Sequence, residues 1–191
     1  MTESRHEEIR LLYQQAGGCL EKGDFAGALT RLQRAMELVP RSALTARAIM
    51  LNNIGHAQVS LNRYQDALCS FQGAADLYRE AGNAIGAGEQ MGNVGSVFRD
   101  QEKWEDSIDA YAEALAIFRE ASHERGVADQ YSNLAYSYAR KGDAEKAQRH
   151  FESAKNLYDL LGDTEKSQLC ETNLLNLSVH AGRGIQGHEG A

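Results

Sequence analysis

Proline occurs once, at Pro40, and tryptophan once, at Trp104. With a single residue that cannot continue a helix, the chain is free to form long helices along nearly its whole length. Long apolar runs are missing too. Nothing approaches the roughly eighteen consecutive apolar residues of a membrane-spanning helix, and the start MTESRHEEIR lacks the apolar core of a signal peptide. Basic residues are the minority, 20 Lys and Arg against 27 Asp and Glu, which leaves a formal net charge of -7. That balance argues against nucleic acid as a partner, because neutralising phosphates needs a basic stripe. The three cysteines, Cys19, Cys69 and Cys170, are far apart and show neither CxxC nor Cys/His ligand spacing. They read as free thiols of a soluble, cytoplasmic protein that meets no membrane.

Catalytic and cofactor signals are equally thin. His56, His123, His150 and His180 are scattered, and none pairs four residues away with another histidine or a carboxylate in a metal arrangement. The stretch Gly82, Gly86, Gly88, Gly92, Gly95 contains a GxG, but it follows no strand and lacks the Lys-Ser/Thr of a phosphate loop. No Ser/His/Asp or Cys/His grouping has positional support. The expectation is a non-enzymatic protein with no cofactor and no metal.

What the chain does have is a period. Asn53, Asn93, Asn133 and Asn173 stand forty residues apart, followed in each case by Ile54, Val94, Leu134 or Leu174 and then by Gly55, Gly95, Ala135 or Leu175. Phe71, Tyr111 and Phe151 recur at the same interval, as do Ala74, Ala114 and Ala154. A fixed period of this size marks stacked supersecondary units, each burying its apolar face only against its neighbours. Apolar residues recur at steps of three and four, so each unit holds two amphipathic helices and no strand. Trp104, Ile108, Tyr111, Leu115 and Phe118 lay one such stripe over 103–121. Gly23-Asp24, Asn62-Arg63 and Gly142-Asp143 divide helices within units, and Gly82-Asn83 and Gly162-Asp163 divide units. A residue tolerant of the left-handed conformation closes one helix, and a short polar side chain caps the next. Ser122-His123 is a weaker version of that turn.

Small residues fix the pairing. Ala28 and Ala35, Ala67 and Ala74, Ser107 and Ala114, and Ala147 and Ala154 are each seven apart, on one helix face, and let a partner helix approach closely. The order Leu51-Ile54-Gly55, Ala67, Phe71, Ala74, repeated along the chain, resembles the tetratricopeptide repeat. Its forty-residue length is similar to the long repeats of Pins-type adaptors, kinesin light chain and bacterial peptide-sensing regulators. The resemblance implies an all-α, right-handed superhelical solenoid of antiparallel helix hairpins. A single domain is expected over 1–180, with repeats at about 6–40, 43–82, 84–122 and 124–162, a capping helix at 164–180, and a flexible Gly-rich tail at 181–191.

The resemblance also implies a function, binding a peptide segment of a partner protein in a concave groove lined by the first helices. Asparagines at one repeat position make a ladder there, offering donor and acceptor to an extended backbone. The expected peptide-binding residues are Gln14, Asn53, Asn93, Asn133 and Asn173, with His56, Tyr136 and Arg140 setting side-chain preference. The rival reading has the amides bonding only to one another and stiffening the array. Arg99 and Arg140 against Glu89, Asp100 and Asp129 leave the partner's charge open. Glu89 and Asp129 also stand where a clamp for an acidic C-terminal tail would need basic residues. Cys170, Leu174 and Leu177 are expected to face back as a cap, leaving Leu175 and Val179 where a further helix would pack. That patch is covered either by the tail folding back through Ile185 or, as favoured here, by a second copy docking as a homodimer. Self-assembly, a peptide-sensing regulator and an accessory subunit of an enzyme are the alternative functions.

Overall fold

The computed structural model describes residues 3–185, with side chains described through Ser178. Among them are nine helices and no strand. Contacts gather the chain into two compact units, 1–97 and 98–191, where the sequence suggests a single domain. The first unit holds α1 (Glu3–Glu21), α2 (Phe25–Leu38), α3 (Leu44–Ser60), α4 (Tyr64–Glu80) and most of α5 (Ala84–Asp100). The second holds the last residues of α5, then α6 (Trp104–Glu120), α7 (Glu124–Lys141), α8 (Ala144–Leu160) and α9 (Thr164–Ile185). α9 runs past the expected end at 180, and residues 186–191 of the expected tail lie outside the described residues.

Turn chemistry sets the helix ends. Gly23, Gly82, Gly142 and Gly162 take positive φ, as anticipated, and so does Asn62. Glu102 and Ser122 adopt the same left-handed conformation at φ 57 and 52 without the freedom of glycine. After the glycines and Ser122 the next residue caps the following helix with its side chain, whereas Arg63 and Lys103, after Asn62 and Glu102, make no such bond. Asp24, Asp143 and Asp163 accept from the backbone N–H of Gly27, Lys146 and Lys166. Asn83 accepts from Gly86, and the imidazole Nδ1 of His123 accepts from Gly126 at 3.1 Å. The Ser122-His123 turn therefore keeps the shared geometry with different atoms.

The seven-residue pairs carry the packing. Ala28, Ala35, Ala67, Ala74, Ser107, Ala114, Ala147 and Ala154 are all 0% exposed, which places them in the helix contacts. In the first unit α1 packs on α2, α2 on α3 and α3 on α4. Gly55 there is needed for its size: a Cβ would lie 2.6 Å from the ring of Phe71. In the second unit α6 packs on α7, α7 on α8 and α8 on α9. Ile108, Tyr111, Leu115 and Leu134 form one cluster, and Ala128, Ala135, Phe151, Ala154, Tyr158 and Cys170 form the next. Leu174 and Leu177 pack against the latter cluster, so α9 caps the unit as its sequence implies.

Candidate functional site

The asparagine positions behave differently in the two units. In the first, they are tied together. Asn53 donates to the Tyr13 hydroxyl at 2.9 Å, and Asn52 donates to the Asn53 carbonyl oxygen at 3.3 Å. Asn93 donates to Asn52 Oδ1 at 3.1 Å and lies 3.4 Å from Gln90 Oε1. The result is a string of side-chain bonds running α1–α3–α5. Tyr13, a strict forty residues before Asn53, holds the first position. Gln14, the sequence-based choice, is exposed on α1 one residue out of phase. The His56 ring on α3 packs edge-on to Phe71 at 5.1 Å with its outer edge open to solvent, and the buried part of the imidazole lowers its pKa.

In the second unit the asparagines line open space. Asn133 on α7 and Asn173 on α9 border a depression of about 370 Å³. Its other walls are Ser132 and Tyr136 of α7, Leu169 of α9 and Arg99 at the end of α5, with Phe151 of α8 reaching in from the core. A second depression of about 190 Å³ shares Tyr136, Phe151 and Asn173 with the first and continues it along Ala139, Arg140, Asn176 and Leu177. Together they make one trough between α7 and α9, floored by α8. Asn133 donates to Gln130 Oε1 at 3.4 Å, a long contact that leaves its own carbonyl oxygen open. Asn173 makes no hydrogen bond among the described residues. Of the expected residues, the structure thus gathers Asn133, Asn173, Tyr136 and Arg140 at one place. Asn53, Asn93 and His56 belong to the first unit.

The charges are more ordered than the sequence suggests. Asp129 accepts from the Tyr158 hydroxyl at 2.7 Å and from Lys166 Nζ at 2.5 Å. Burial and then that Asp129 bond push the Tyr158 phenol pKa upward. Asp100 is engaged by Arg99, through Nε at 3.2 Å and a terminal nitrogen at 3.0 Å. The Arg140 guanidinium lies 5.3 Å above the Trp104 ring and 4.0 Å from Glu102. Beneath the trough the Cys170 thiol is 1% exposed, and burial raises its pKa. Gln90 and Gln130, three residues before Asn93 and Asn133, also stand forty apart and take the amide contacts. Their repetition was the signal for an amide pair rather than a lone asparagine. Among the described residues no group of three or more His, Cys, Asp or Glu could hold a metal ion, and no helix is long and apolar enough to cross a membrane.

Residues 90–168 match the family model described as tetratricopeptide repeat. Over that stretch the sequence carries the tetratricopeptide repeat pattern. No curated protein matches it in sequence. Among solved structures it is similar to RapI in its apo form, at 13% identity and a TM-score of 0.84, over 92% of this chain and 49% of that one. BtubC from P. vanneervenii is similar at 19% identity and a TM-score of 0.66, over 98% and 90% of the two chains. A Rap protein complexed with Competence and Sporulation Factor is similar at 15% identity and a TM-score of 0.70, over 95% and 51%. The chain therefore spans about half the length of these Rap structures. Identities this low speak for the fold alone, an all-helical repeat array.

Proposed function

We propose that this chain is a protein-interaction module that binds an extended segment of a partner protein in the α7–α9 trough. The supporting observation is the pair Asn133 and Asn173, equivalent repeat positions whose amides border one depression with unused hydrogen-bonding capacity. Helices pack roughly 10 Å apart and an extended chain rises about 3.3 Å per residue, so successive amides would meet the segment about every third residue. An amide supplies both the donor and the acceptor that an unpaired peptide backbone needs. A Rap protein of the same fold has been seen complexed with Competence and Sporulation Factor, which is consistent with ligand binding by such arrays. Asn53 and Asn93, engaged with Tyr13, Asn52 and Gln90, act in this reading as braces. The partner meets the protein in the cytoplasm, in keeping with free Cys19, Cys69 and Cys170.

The test is selection of a random peptide library on the whole protein, followed by fluorescence anisotropy of the enriched peptides. Peptides should bind the parent and lose most of their affinity for Asn133→Ala with Asn173→Ala, while that variant melts as the parent does. Enriched peptides that bind both proteins equally would contradict the reading.

A second reading concerns the α8–α9 end. Leu175 is 63% exposed on α9, outside the wall of a depression of about 410 Å³ that Glu145, Gln148 and Glu152 of α8 share with Leu174 and Leu177 of α9. An open apolar position at the end of an array favours docking of a second copy. Val179 and Ile185, which the sequence adds to this face, have side chains outside the described residues. Leu175→Glu should then convert a dimer seen by light scattering into a monomer. A parent that stays monomeric at high concentration would end this reading.

A further inference from the structure

The charge of the trough is lopsided in a way the whole chain is not. Acidic residues outnumber basic ones by 27 to 20 overall, yet neither depression has an aspartate or glutamate in its wall. Among the described residues the charged groups in its walls are two guanidinium groups, Arg99 in the larger depression and Arg140 in the smaller. They flank the shared centre of Tyr136, Phe151 and Asn173. Of the acids that made the wall look mixed in sequence, Glu89 belongs to the first unit and the other two are engaged. Asp129 is held by Tyr158 and Lys166, and Asp100 by Arg99 itself.

The two arginines differ in what they have left to offer. Arg99 gives two of its nitrogens to one Asp100 oxygen, so part of its five-donor fork is occupied. Arg140 stands 4.0 Å from Glu102, beyond hydrogen-bond reach, and is oriented chiefly by its stack on Trp104. It presents a pre-oriented, half-solvated guanidinium whose donors are open, and such a fork suits a carboxylate. Next to it the smaller depression is walled by Ala139, Phe151 and Leu177, an apolar seat.

We infer that the occupant of the trough is an extended partner segment carrying an apolar side chain, seated on Phe151, within two residues of a carboxylate that binds Arg140. Side chains of an extended segment alternate faces, so one residue can fill the seat while a neighbour reaches the rim. This inference rests on the peptide-binding reading of the same trough. It places the anion at the rim, on the seventh residue after Asn133, rather than at the positions of Glu89 and Asp129. Because the pairing is half exposed, added salt should weaken it.

The experiment uses peptides enriched from the random library on the full chain, made with a fluorescein label and read by anisotropy. The trough-bound class is defined as those that lose affinity for Asn133→Ala with Asn173→Ala. In that class an Asp or Glu should recur within two positions of an apolar residue. Replacing that acid by its amide in the peptide should weaken binding roughly tenfold, the worth of one charge-assisted hydrogen bond. Arg140→Gln should reproduce the loss and add little to it in combination. The peptide-side change leaves the protein untouched, so a folding defect in the Arg140 variant cannot mask the answer. Trough-bound peptides that are neutral or basic, or indifferent to the acid-to-amide change, would overturn the charge assignment and leave the site standing. If no enriched peptide depends on Asn133 and Asn173, the site reading fails and this inference fails with it.

Discussion

Units 1–97 and 98–191 use the same repeat position for different purposes. In the first, Asn53 is bonded to Tyr13 and Asn52, and the Asn93 amide nitrogen donates to Asn52 and Gln90, so the ladder is a string of bonds between helices. In the second, Asn133 holds only a long contact to Gln130, and Asn173 borders the trough with no such tie. One residue type at one position is therefore structural or available according to its immediate neighbours. Asn52 makes the difference on α3. The equivalent residue on α7 is Ser132, too short to reach along the ladder as Asn52 does.

The largest expected effect is on binding. In the proposed complex Asn133→Ala with Asn173→Ala would remove two hydrogen bonds to a desolvated backbone, each worth about 1–3 kcal/mol, so affinity should drop from about fivefold to over a hundredfold per bond. Melting temperature should hardly move. Equal losses of stability and binding would erase the contrast between the units. A smaller effect tests packing at equivalent positions, Gly55 and Ala135. Gly55→Ala pushes a methyl into Phe71 and should cost roughly 1–3 kcal/mol by chemical denaturation. Ala135→Gly should cost only about 1 kcal/mol, mostly helix propensity, plus the methyl's packing. A Gly55→Ala variant as stable as the parent would mean Phe71 has room to turn aside.

Smaller again is the brace itself. Asn52→Ala with Asn93→Ala should lower stability by about 0.5–1.5 kcal/mol for each bond lost and leave peptide affinity unchanged. Loss of affinity with intact folding would move the binding site into the first unit. The last effect is one of pH. Burial between Tyr131 and Tyr138, and then the charges of Arg149, Arg119 and Lys146, hold the His150 pKa below its ordinary value. Its folded pKa being depressed, the unfolded chain binds the proton first. Stability is complete above the ordinary value of about 6.5 and declines as pH falls toward the folded value. Stability by chemical denaturation should fall over that range, and His150→Gln should flatten the dependence.

Much of this was legible in the sequence because every hairpin buries the same positions. The forty-residue period, the small-residue pairs now at 0% exposure, and the Gly-Asp turns all follow from local geometry that repeats. Glu102 was not legible, since a glutamate has no preference of its own for the left-handed conformation it adopts. Nor was the state of each asparagine. Whether an amide is open depends on a residue one position off phase, Asn52 or Tyr13, and on how far that side chain reaches. The same one-residue phase explains why Tyr13 holds the place assigned to Gln14. Charge on the wall looked mixed because sequence counts Asp129 and Asp100 without their partners, Tyr158, Lys166 and Arg99.

The division of labour between the units can be read directly from the side-chain amide resonances of the asparagines, assigned by single substitutions and followed while a trough-dependent peptide is added. The account predicts that the NH2 signals of Asn133 and Asn173 shift with saturation, and that those of Asn52, Asn53 and Asn93 keep their positions. Shifts of Asn53 and Asn93 equal to those of Asn133 and Asn173, or no movement of the latter pair at saturation, would contradict it.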